Sequence, residues 1–258
     1  MKLVTWNVNS LKIRMPRVLE FLELHAPDVV CLQETKSEPA AFPALELEAA
    51  GYRAVHHSAG RWAGVAVLAR RELSIEEGGR GLTGEPGPDE ARWVEARVEG
   101  LRVISTYVIN GREVGSPFFA DKLRFLEAAA DRVAELREAG EPVALAGDFN
   151  VTRDDRDVYD PAAFEGSTHV TPEERAALEA VLDRGGLIDA YRELHDGEQF
   201  TWWDYRQGHF HRGMGLRIDY VLLSDGLGAS LTACHIERDF RKGTKPSDHA
   251  PLVAEYVC

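Results

Sequence analysis

The sequence lacks the features that mark membrane and secreted proteins. No apolar run approaches the length that crosses a bilayer, so no membrane span is expected. The first ten residues, MKLVTWNVNS, contain neither a long apolar segment nor a small-residue cleavage site, so a secretory signal is not expected. The three cysteines, Cys31, Cys234 and Cys258, are far apart and form no CxxC pair, which predicts reduced structural thiols. By default, these absences favour a cytoplasmic location.

Positive charge is also scarce. The formal net charge of -13 argues against a protein that coats nucleic acid nonspecifically, because such binding depends on Lys and Arg displacing counterions. Residues 201–250 are nearly balanced in charge, however. This stretch is either a local basic rim at a binding site or a solvated surface that is only less acidic. Its cationic residues are Arg206, Arg212, Arg217, Arg238, Arg241, Lys242 and Lys245.

Linkers, low-complexity tracts and short-period repeats are absent as well, so a domain boundary has no obvious position. A chain of 258 residues, 44% hydrophobic and 28% charged, has the composition of an ordinary globular protein. We therefore expect one compact domain over residues 1–258, long enough to bury a large core.

Short apolar runs alternate with helical patterns along the chain. Ser116 before a proline predicts a helix to about Glu138, and Thr171 begins a capping box before another helix. The segment Pro16–His25 has apolar residues on one face and predicts a third helix. Many strands with few long helices suggest two packed sheets covered by helices. The predicted strands are Leu3–Val8, Val29–Gln33, Arg53–His57, Gly64–Ala69, Arg92–Arg97, Val103–Tyr107, Val143–Phe149, Ile218–Leu223 and Leu252–Tyr256.

Several apolar strands end in a polar residue that could carry chemistry. Asn7, Glu34 and the pair Asp148 and Asn150 each follow such a run. Side chains alternate along a strand, so Asp148 and Asn150 should project from the same face. Asp219 lies inside the run LRIDYVLL, where an unpaired buried carboxylate costs several kcal/mol. Asp219 therefore needs a partner, and a histidine would serve, whereas any one of the other residues alone could be an ordinary turn residue.

One histidine lies in a stiff segment. His249 belongs to KPSDHAP, in which Pro246 and Pro251 restrict the backbone around the Asp-His pair. A carboxylate such as Asp219 would fix its tautomer and favour the imidazolium, which can donate to a phosphoryl oxygen. The alternative is a turn with an exposed histidine.

Six segments resemble one family in order along the chain. They are WNVN, LQETK, GDFN, TWWDYR, GLRIDYVL and KPSDHAP, between residues 4 and 251. They are similar to exodeoxyribonuclease III and its abasic-site (AP) endonuclease relatives, in the endonuclease/exonuclease/phosphatase superfamily. The resemblance implies an α/β, DNase I-like fold, a four-layer αββα sandwich of two packed mixed β-sheets flanked by helices. It also implies a Mg²⁺-dependent DNA phosphodiesterase of base-excision repair.

The resemblance further implies how the metal is held. Glu34 matches the main metal ligand, and Asn7 and Asp248 match residues close to the same ion or to a second one. Hard oxygen donors without soft ligands independently suit Mg²⁺, with Mn²⁺ as a possible substitute.

Catalytic roles follow from the same matches. Asp148 corresponds to the residue that orients or deprotonates the attacking water, and Asp219 to the partner of the histidine. The groups that contact the phosphate correspond to Tyr107, Asn150 and His249. Such a set supports in-line displacement at phosphorus without a covalent enzyme intermediate.

Substrate recognition is implied at three further positions. Trp202 matches a ring that packs against the deoxyribose, and Arg206 a side chain that can wedge into the duplex. His169 stands where abasic-site endonucleases have a small residue, and we expect it to narrow the pocket in favour of trimming 3′ ends. The expected partner is double-stranded DNA with damaged, nicked or recessed 3′ ends or abasic sites, bound by a monomer.

Two other functions stay open at this point. The same catalytic edge could serve a phosphoesterase that acts on RNA or on a non-nucleic-acid phosphate ester. The segments TWWDYR and GLRIDYVL, which match the DNA-acting branch, argue against it. A binding module on an inactive scaffold is disfavoured because each expected catalytic position holds a competent residue.

Overall fold

The chain alternates between strands and helices throughout. The structure is a computed structural model, and it describes residues 1–257. Their strands are β1 (Lys2–Asn7), β2 (Val29–Gln33), β3 (Tyr52–His57), β4 (Val65–Arg70), β5 (Ile75–Arg80), β6 (Trp93–Val98), β7 (Leu101–Tyr107), β8 (Val143–Asp148), β9 (Leu187–Asp189), β10 (Asp219–Ser224), β11 (Leu231–Ile236) and β12 (Leu252–Tyr256). Their α-helices are α1 (Leu11–His25), α2 (Ala44–Ala49), α3 (Pro117–Glu138), α4 (Pro172–Gly185), α5 (Ala190–Leu194), α6 (His209–Arg212) and α7 (Asp225–Gly228).

The strands form two six-stranded mixed sheets. The first has the order β11-β12-β1-β2-β4-β3, and the second has the order β5-β6-β7-β8-β10-β9. Each sheet contains one parallel pair near its centre, β1 with β2 and β7 with β8. Every other pairing is antiparallel.

Three apolar cores stack into four layers. Between the sheets, Leu3 and Val67 of the first sheet pack with Val103 and Val221 of the second. Helices α3 and α4 cover the outer face of the second sheet through one core, and α1 covers the first sheet through another. This arrangement confirms the predicted αββα sandwich of two mixed sheets flanked by helices.

Most predicted elements appear with their ends moved by one or two residues, and both predicted caps form. The Ser116 hydroxyl accepts a hydrogen bond from the Phe119 amide at 3.2 Å, and Thr171 and Glu174 form the capping box. The start of α1 was predicted wrongly, since the helix begins at Leu11 and contains Pro16. Proline lacks an amide hydrogen, but the carbonyl that it leaves unpaired, that of Lys12, belongs to an exposed residue that water can reach.

The sequence patterns missed β5, β9 and β11. Strand β5, IEEGGR, has one apolar residue and two glycines, and β9 spans three residues. Both strands lie at an edge of their sheet, as does β11, where few apolar side chains are needed.

The described cysteines match the prediction of structural thiols. Cys31 and Cys234 are buried and free, and burial raises the pKa of each thiol. Cys258 lies outside the described residues. Within residues 1–257, no helix combines the length and the hydropathy that a membrane crossing requires.

The topology brings one set of strand ends to a single edge. Parallel strands β1 and β2 end there, at Asn7 and just before Glu34. Strands β7 and β8 end at the same edge of the second sheet, where β10 begins antiparallel to β8. The chain also enters β12 here, because β12 runs antiparallel to β1.

Candidate active site

Three polar side chains lie in register across the second sheet. The pairing places Tyr107 opposite Asp148 and Asp148 opposite Asp219. Asp148 and Asp219 are both almost completely buried. Two carboxylates held side by side on neighbouring strands need cationic or hydrogen-bonding partners.

His249 supplies such a partner to both carboxylates. Its Nδ1 lies 2.8 Å from Oδ2 of Asp219, and its Nε2 lies 3.6 Å from Oδ2 of Asp148. The indole of Trp6 donates to the His249 carbonyl at 3.1 Å, and the Ser247 hydroxyl donates to the Asn7 carbonyl at 2.6 Å. The imidazole is therefore fixed from two sides, with its loop tied to the end of β1.

Burial and neighbouring charges shift the pKa values of both His249 and Asp148. Burial disfavours the imidazolium, but the carboxylates of Asp219 and Asp148 outweigh it and raise the pKa of His249 to about 10. Burial raises the pKa of Asp148 to about 7, with Asp219 and Glu34 adding to the rise, while His249 and Asn7 oppose it. At neutral pH the site therefore contains a cationic donor next to a carboxyl group poised to gain or lose a proton.

Glu34 completes a group of ligands that could hold a cation. One ligand atom each from Glu34, Asp148 and His249 lies within 4.8 Å of the others. Lys36 Nζ lies 2.8 Å from Oε2 of Glu34 and donates to Oδ1 of Asn9 at 2.7 Å. Since the imidazolium of His249 cannot act as a ligand, the carboxylates are the donors that fit a hard divalent cation.

Asn7 connects the two candidate carboxylate ligands. Its Nδ2 donates to Oε1 of Glu34 at 2.8 Å and to Oδ2 of Asp148 at 2.9 Å. Its Oδ1 accepts the Asn9 amide hydrogen at 3.0 Å, so the nitrogen of the side-chain amide faces the carboxylates. In this orientation Asn7 holds Glu34 and Asp148 in place, and its role as a ligand stays a prediction.

Asp248 lies outside the three-residue group. Its Oδ1 accepts from Asn9 Nδ2 at 3.0 Å, and its Oδ2 accepts from the Trp202 indole at 3.1 Å. Trp202 is half-buried and forms backbone bridges to Leu216 and His249, so its ring lies at the rim of the site. The carboxylate of Asp248 thereby holds the ring of Trp202, whose packing against a deoxyribose stays a prediction.

Tyr107 is held in its protonated form. Burial and the nearby charges of Glu34 and Asp148 raise the pKa of its hydroxyl well above the usual range, and a hydrogen bond to Glu34 adds to the shift. Arg92 lies 4.9 Å over its ring and opposes the shift only in part. Tyr107 can therefore donate a hydrogen bond at neutral pH.

Asn150 lies in a cradle formed by Asp148, Val108, Asn110 and Lys122, in which each of its polar groups has a hydrogen-bond partner. Its backbone is left-handed, with φ of 53°, and its amide hydrogen is accepted by Oδ1 of Asp148 at 2.9 Å. Its Nδ2 donates to the Val108 carbonyl at 3.0 Å, and its Oδ1 accepts from Asn110 Nδ2 at 3.1 Å. The Asn150 carbonyl accepts from Lys122 Nζ at 2.6 Å. The cradle holds the backbone amide of Asn150 in position, and this amide in turn holds Oδ1 of Asp148.

Lys122 and Asn110 were not identified from the sequence. Lys122 is completely buried in an ion pair with Glu174, the capping-box residue of α4. One signal was available, since Lys122 falls on the otherwise apolar face of α3, between Phe119 and Phe125. A charged residue at such a position has a buried partner more often than a solvated one.

His169 and Arg206 lie at different depths. The His169 Nδ1 contacts the Asn150 carbonyl at 2.5 Å, its backbone φ is 80°, and burial together with Lys122 lowers its pKa to about 4. Arg206 has an 83% exposed side chain and pairs with Asp204 in its own loop, Nε to Oδ1 at 2.9 Å. His169 therefore lies next to the catalytic cradle as a neutral imidazole, whereas Arg206 extends into solvent.

A cavity of about 520 Å³ extends from the site on the side of Glu34 and Tyr107. Its other lining residues include Lys36, Trp62, Arg92, Asn110, Arg112 and Phe118. Of the lining residues, the sequence singled out only Glu34, as a metal ligand, and Tyr107, as a catalytic residue.

Comparison with known proteins agrees with this geometry. Residues 4–249 match the model of the Endonuclease/Exonuclease/phosphatase family. Exodeoxyribonuclease III of Haemophilus influenzae is 32% identical over 276 residues, which cover 99% of this chain and 100% of that protein.

Two solved structures share the whole fold. The 3′ phosphatase NExo from Neisseria, bound to a product DNA hairpin, has a TM-score of 0.94 and 36% identity, and the match covers 100% of both chains. An AP endonuclease from Archaeoglobus fulgidus has a TM-score of 0.95 and 32% identity, again over 100% of both chains.

Proposed function

This chain belongs to the endonuclease/exonuclease/phosphatase family, a family of hydrolytic enzymes, and we propose that it is a Mg²⁺-dependent DNA phosphodiesterase of the exodeoxyribonuclease III and AP endonuclease type. One observation carries the proposal. Asp148 lies between the imidazole of His249, 3.6 Å away, and Asn7, whose amide links it to Glu34. General base, cationic donor and metal-binding carboxylate thus meet at one edge of the paired sheets.

Asp148 is the proposed general base. Its pKa of about 7 lets the carboxylate accept a proton from the attacking water at neutral pH. The new bond from the water oxygen to phosphorus forms as the bond to the leaving oxygen breaks, and one water proton passes to Asp148. Asn150 and Asn7 hold the carboxylate in position during this step.

His249 is the proposed donor to the phosphate. With a pKa of about 10 it is an imidazolium throughout the neutral range, and Asp219 fixes its Nδ1. Its Nε2 hydrogen can therefore stabilise the charge that develops on a phosphoryl oxygen. Tyr107, protonated and next to Glu34, provides a second donor, which is neutral.

Glu34, with Asn7 and Asp248 nearby, is the residue that would hold the divalent cation. A Mg²⁺ ion there, or Mn²⁺ in its place, would neutralise charge on the phosphoryl and leaving oxygens. The oxygen-rich donor set, without a thiol or a neutral imidazole, supports this choice of metal.

Processing of DNA 3′ ends is the activity that we favour, on double-stranded DNA with damaged, nicked or recessed 3′ ends or abasic sites. NExo, at 36% identity, is described as a 3′ phosphatase and the Archaeoglobus protein as an AP endonuclease. His169 adds an imidazole next to the carbonyl of Asn150, in a left-handed conformation that glycine would adopt without strain. We infer that this bulk limits access of internal abasic sites.

A gel assay tests the proposed class. Three end-labelled duplexes are compared: one with an internal abasic analogue, one with a recessed 3′ hydroxyl and one with a 3′ phosphate. We expect Mg²⁺-dependent hydrolysis of the recessed and phosphorylated ends, abolished by EDTA. Hydrolysis of a soluble phosphomonoester or of RNA, without cleavage of any duplex, would instead support a phosphoesterase of the same family with another substrate.

The role of His169 is tested by His169→Gly. The ratio of internal abasic incision to 3′-end trimming should rise, because the bulk at the cradle is removed. His211→Gly, at an exposed position, is the matched control and should leave the ratio unchanged. If the ratio of incision to trimming were unchanged in a folded His169→Gly protein, the inference that His169 limits access of internal abasic sites would be contradicted.

Three further points follow as proposals from the sequence. We infer that residues 1–258 act as one catalytic domain, since the family match spans nearly all of them. We also expect a monomer, and a cytoplasmic location that fits dispersed, free cysteines.

A further inference from the structure

The cavity next to Glu34 and Tyr107 contains features that the hydrolytic reaction does not use. Trp62 lines it with 77% of its surface exposed, and Phe118 lines it with 41% exposed. The guanidinium of Arg112 lies 3.6 Å from the centroid of the Phe118 ring. Two flat surfaces in one cavity suit a planar ligand.

The chain segments that contain Trp62 and Arg112 are each hydrogen-bonded to segments of the active site. On one side, the amide hydrogens of Thr35 and Lys36, which follow Glu34, are accepted by the carbonyls of Gly64 at 3.0 Å and Ala63 at 2.8 Å. These two bonds hold the segment of Trp62 against the loop of Glu34. Gly64 has φ of 103°, and an added Cβ would lie 2.2 Å from the Thr35 hydroxyl, so the close approach requires glycine.

The Arg112 surface is tied to the other half of the site. Oδ1 of Asn110 accepts the amide hydrogen of Arg112 at 3.2 Å, and Nδ2 of the same residue donates to Asn150 at 3.1 Å. Arg112 has no ion-pair partner among residues 1–257 and adopts a left-handed φ of 56°. These hydrogen bonds therefore hold the backbone segments of both flat surfaces next to the active site.

The charges that line the cavity identify the part of a nucleotide that fits. Three cations face four carboxylates, so the lining offers no net attraction for a phosphate. Two of the cations are already paired, Arg92 with Glu90 at 2.6 Å and Lys36 with Glu34 at 2.8 Å. A neutral planar group with edge donors and acceptors fits better. The cations are Lys36, Arg92 and Arg112, and the carboxylates are Glu34, Asp89, Glu90 and Asp121.

We propose that this cavity seats one unpaired nucleobase of the cut strand, stacked on Trp62, beside the phosphodiester at Glu34. The inference rests on the proposed DNA phosphodiesterase function and extends it. A volume of about 520 Å³ lies within the range of small-ligand sites, about 300–1,000 Å³. Seating a base there requires it to leave the helix, so frayed, mismatched or single-stranded ends should bind best.

Binding to an inactive enzyme tests the proposal. In an Asp148→Asn background, which prevents cleavage, fluorescence anisotropy measures the affinity for a labelled duplex with a frayed 3′ end. Trp62→Leu should weaken binding about tenfold, within the range for loss of base–aromatic stacking, whereas Trp62→Phe should retain most of it. Leu45→Ala, which removes another exposed apolar side chain, is the control and should change nothing.

The substrate provides the second half of the test. An abasic spacer is placed at each position within two nucleotides of the scissile bond, one at a time. At the seated position, Trp62→Leu should have no further effect, because the base that it stacks on is missing. Equal effects of Trp62→Leu on the intact strand and on every spacer strand, or no effect on any, would overturn the proposal. Failure of the Asp148→Asn protein to bind any DNA would instead count against the proposed function.

Discussion

The imidazole Nδ1 of His249 lies 2.8 Å from Oδ2 of Asp219, and neither residue is accessible to solvent beyond a few per cent. The two residues come from different sheets, since Asp219 begins β10 and His249 precedes β12. Their contact therefore joins the two sheets of the sandwich at the catalytic edge. It also contributes to the charge of the imidazole, because the carboxylates of Asp219 and Asp148 together more than offset the cost of burying a cation.

Asp219→Asn should destabilise that charge. Without this carboxylate the pKa of His249 falls, because burial is then opposed mainly by the weaker contribution of Asp148. We expect kcat to fall about 10²- to 10³-fold, as when one donor to a developing oxyanion is lost. Steady-state kinetics on a recessed 3′ end, with the His249 pKa measured by NMR, check this. Asp196→Asn, fully exposed, is the matched control, and an unchanged His249 pKa in Asp219→Asn would contradict the assignment.

Lys122→Met should destabilise the fold and slow the reaction together. It leaves Glu174 as an unpaired buried carboxylate, which costs about 3–5 kcal/mol of unfolding free energy. It also removes one of the two side chains that contact the carbonyl of Asn150, the other being His169, and so weakens the support of the Asp148 carboxylate. Urea denaturation and kcat measure the two effects. Lys242→Met, which breaks the exposed pair with Asp239, should cost at most about 1 kcal/mol.

If Lys122→Met and Lys242→Met lost the same small amount of unfolding free energy, the buried ion pair of Lys122 with Glu174 would be contradicted. Adding Glu174→Leu to Lys122→Met should recover part of the stability, since no unpaired charge is then buried. The double variant should not recover kcat, because the donor to the Asn150 carbonyl is still missing.

The sequence identified residues that meet at this edge of the sheets better than it identified the contacts that support them. Asn7, Glu34 and Asp148 each end or follow an apolar strand, a local pattern that can be recognised without knowing the sheet order. The contact of Lys122 with Glu174 spans 52 residues and depends on how α3 packs on α4. Nothing near Lys122 in the chain identifies that partner.

Local sequence patterns also could not identify the residues of the cavity. Trp62 lies in a loop between β3 and β4, and only the pairing of its neighbours with the chain after Glu34 brings it to the site. Local patterns also favoured a helix start at Pro16, whereas packing of Leu11 and Met15 against the first sheet extends α1 by five residues. Long-range packing decided both outcomes.

His169 should make the fold sensitive to mild acid. Its pKa is about 4 in the folded protein and about 6.5 in an unfolded chain. Between these values the unfolded state binds the proton and the folded state does not, so the unfolding free energy falls as the pH drops. The slope from this residue approaches about 1.4 kcal/mol per pH unit.

Chemical denaturation of the wild type and of His169→Gln between pH 4 and pH 7 measures this contribution. The wild type should lose more stability over the window than the variant. His249 does not interfere, because its raised pKa contributes stability that is complete below pH 6.5 and is lost only as the pH rises toward 10. Identical slopes in the two proteins would contradict a His169 that is neutral in the folded protein.

The central claim is that Asp148 accepts the proton of the water that attacks phosphorus. Single-turnover cleavage of a recessed 3′ end by Asp148→Asn, with DNA affinity measured on the same protein, tests it most directly. The account predicts a fall in rate of about 10³-fold or more with the affinity retained, because asparagine keeps the shape but cannot accept a proton. A rate within tenfold of the wild type would contradict it.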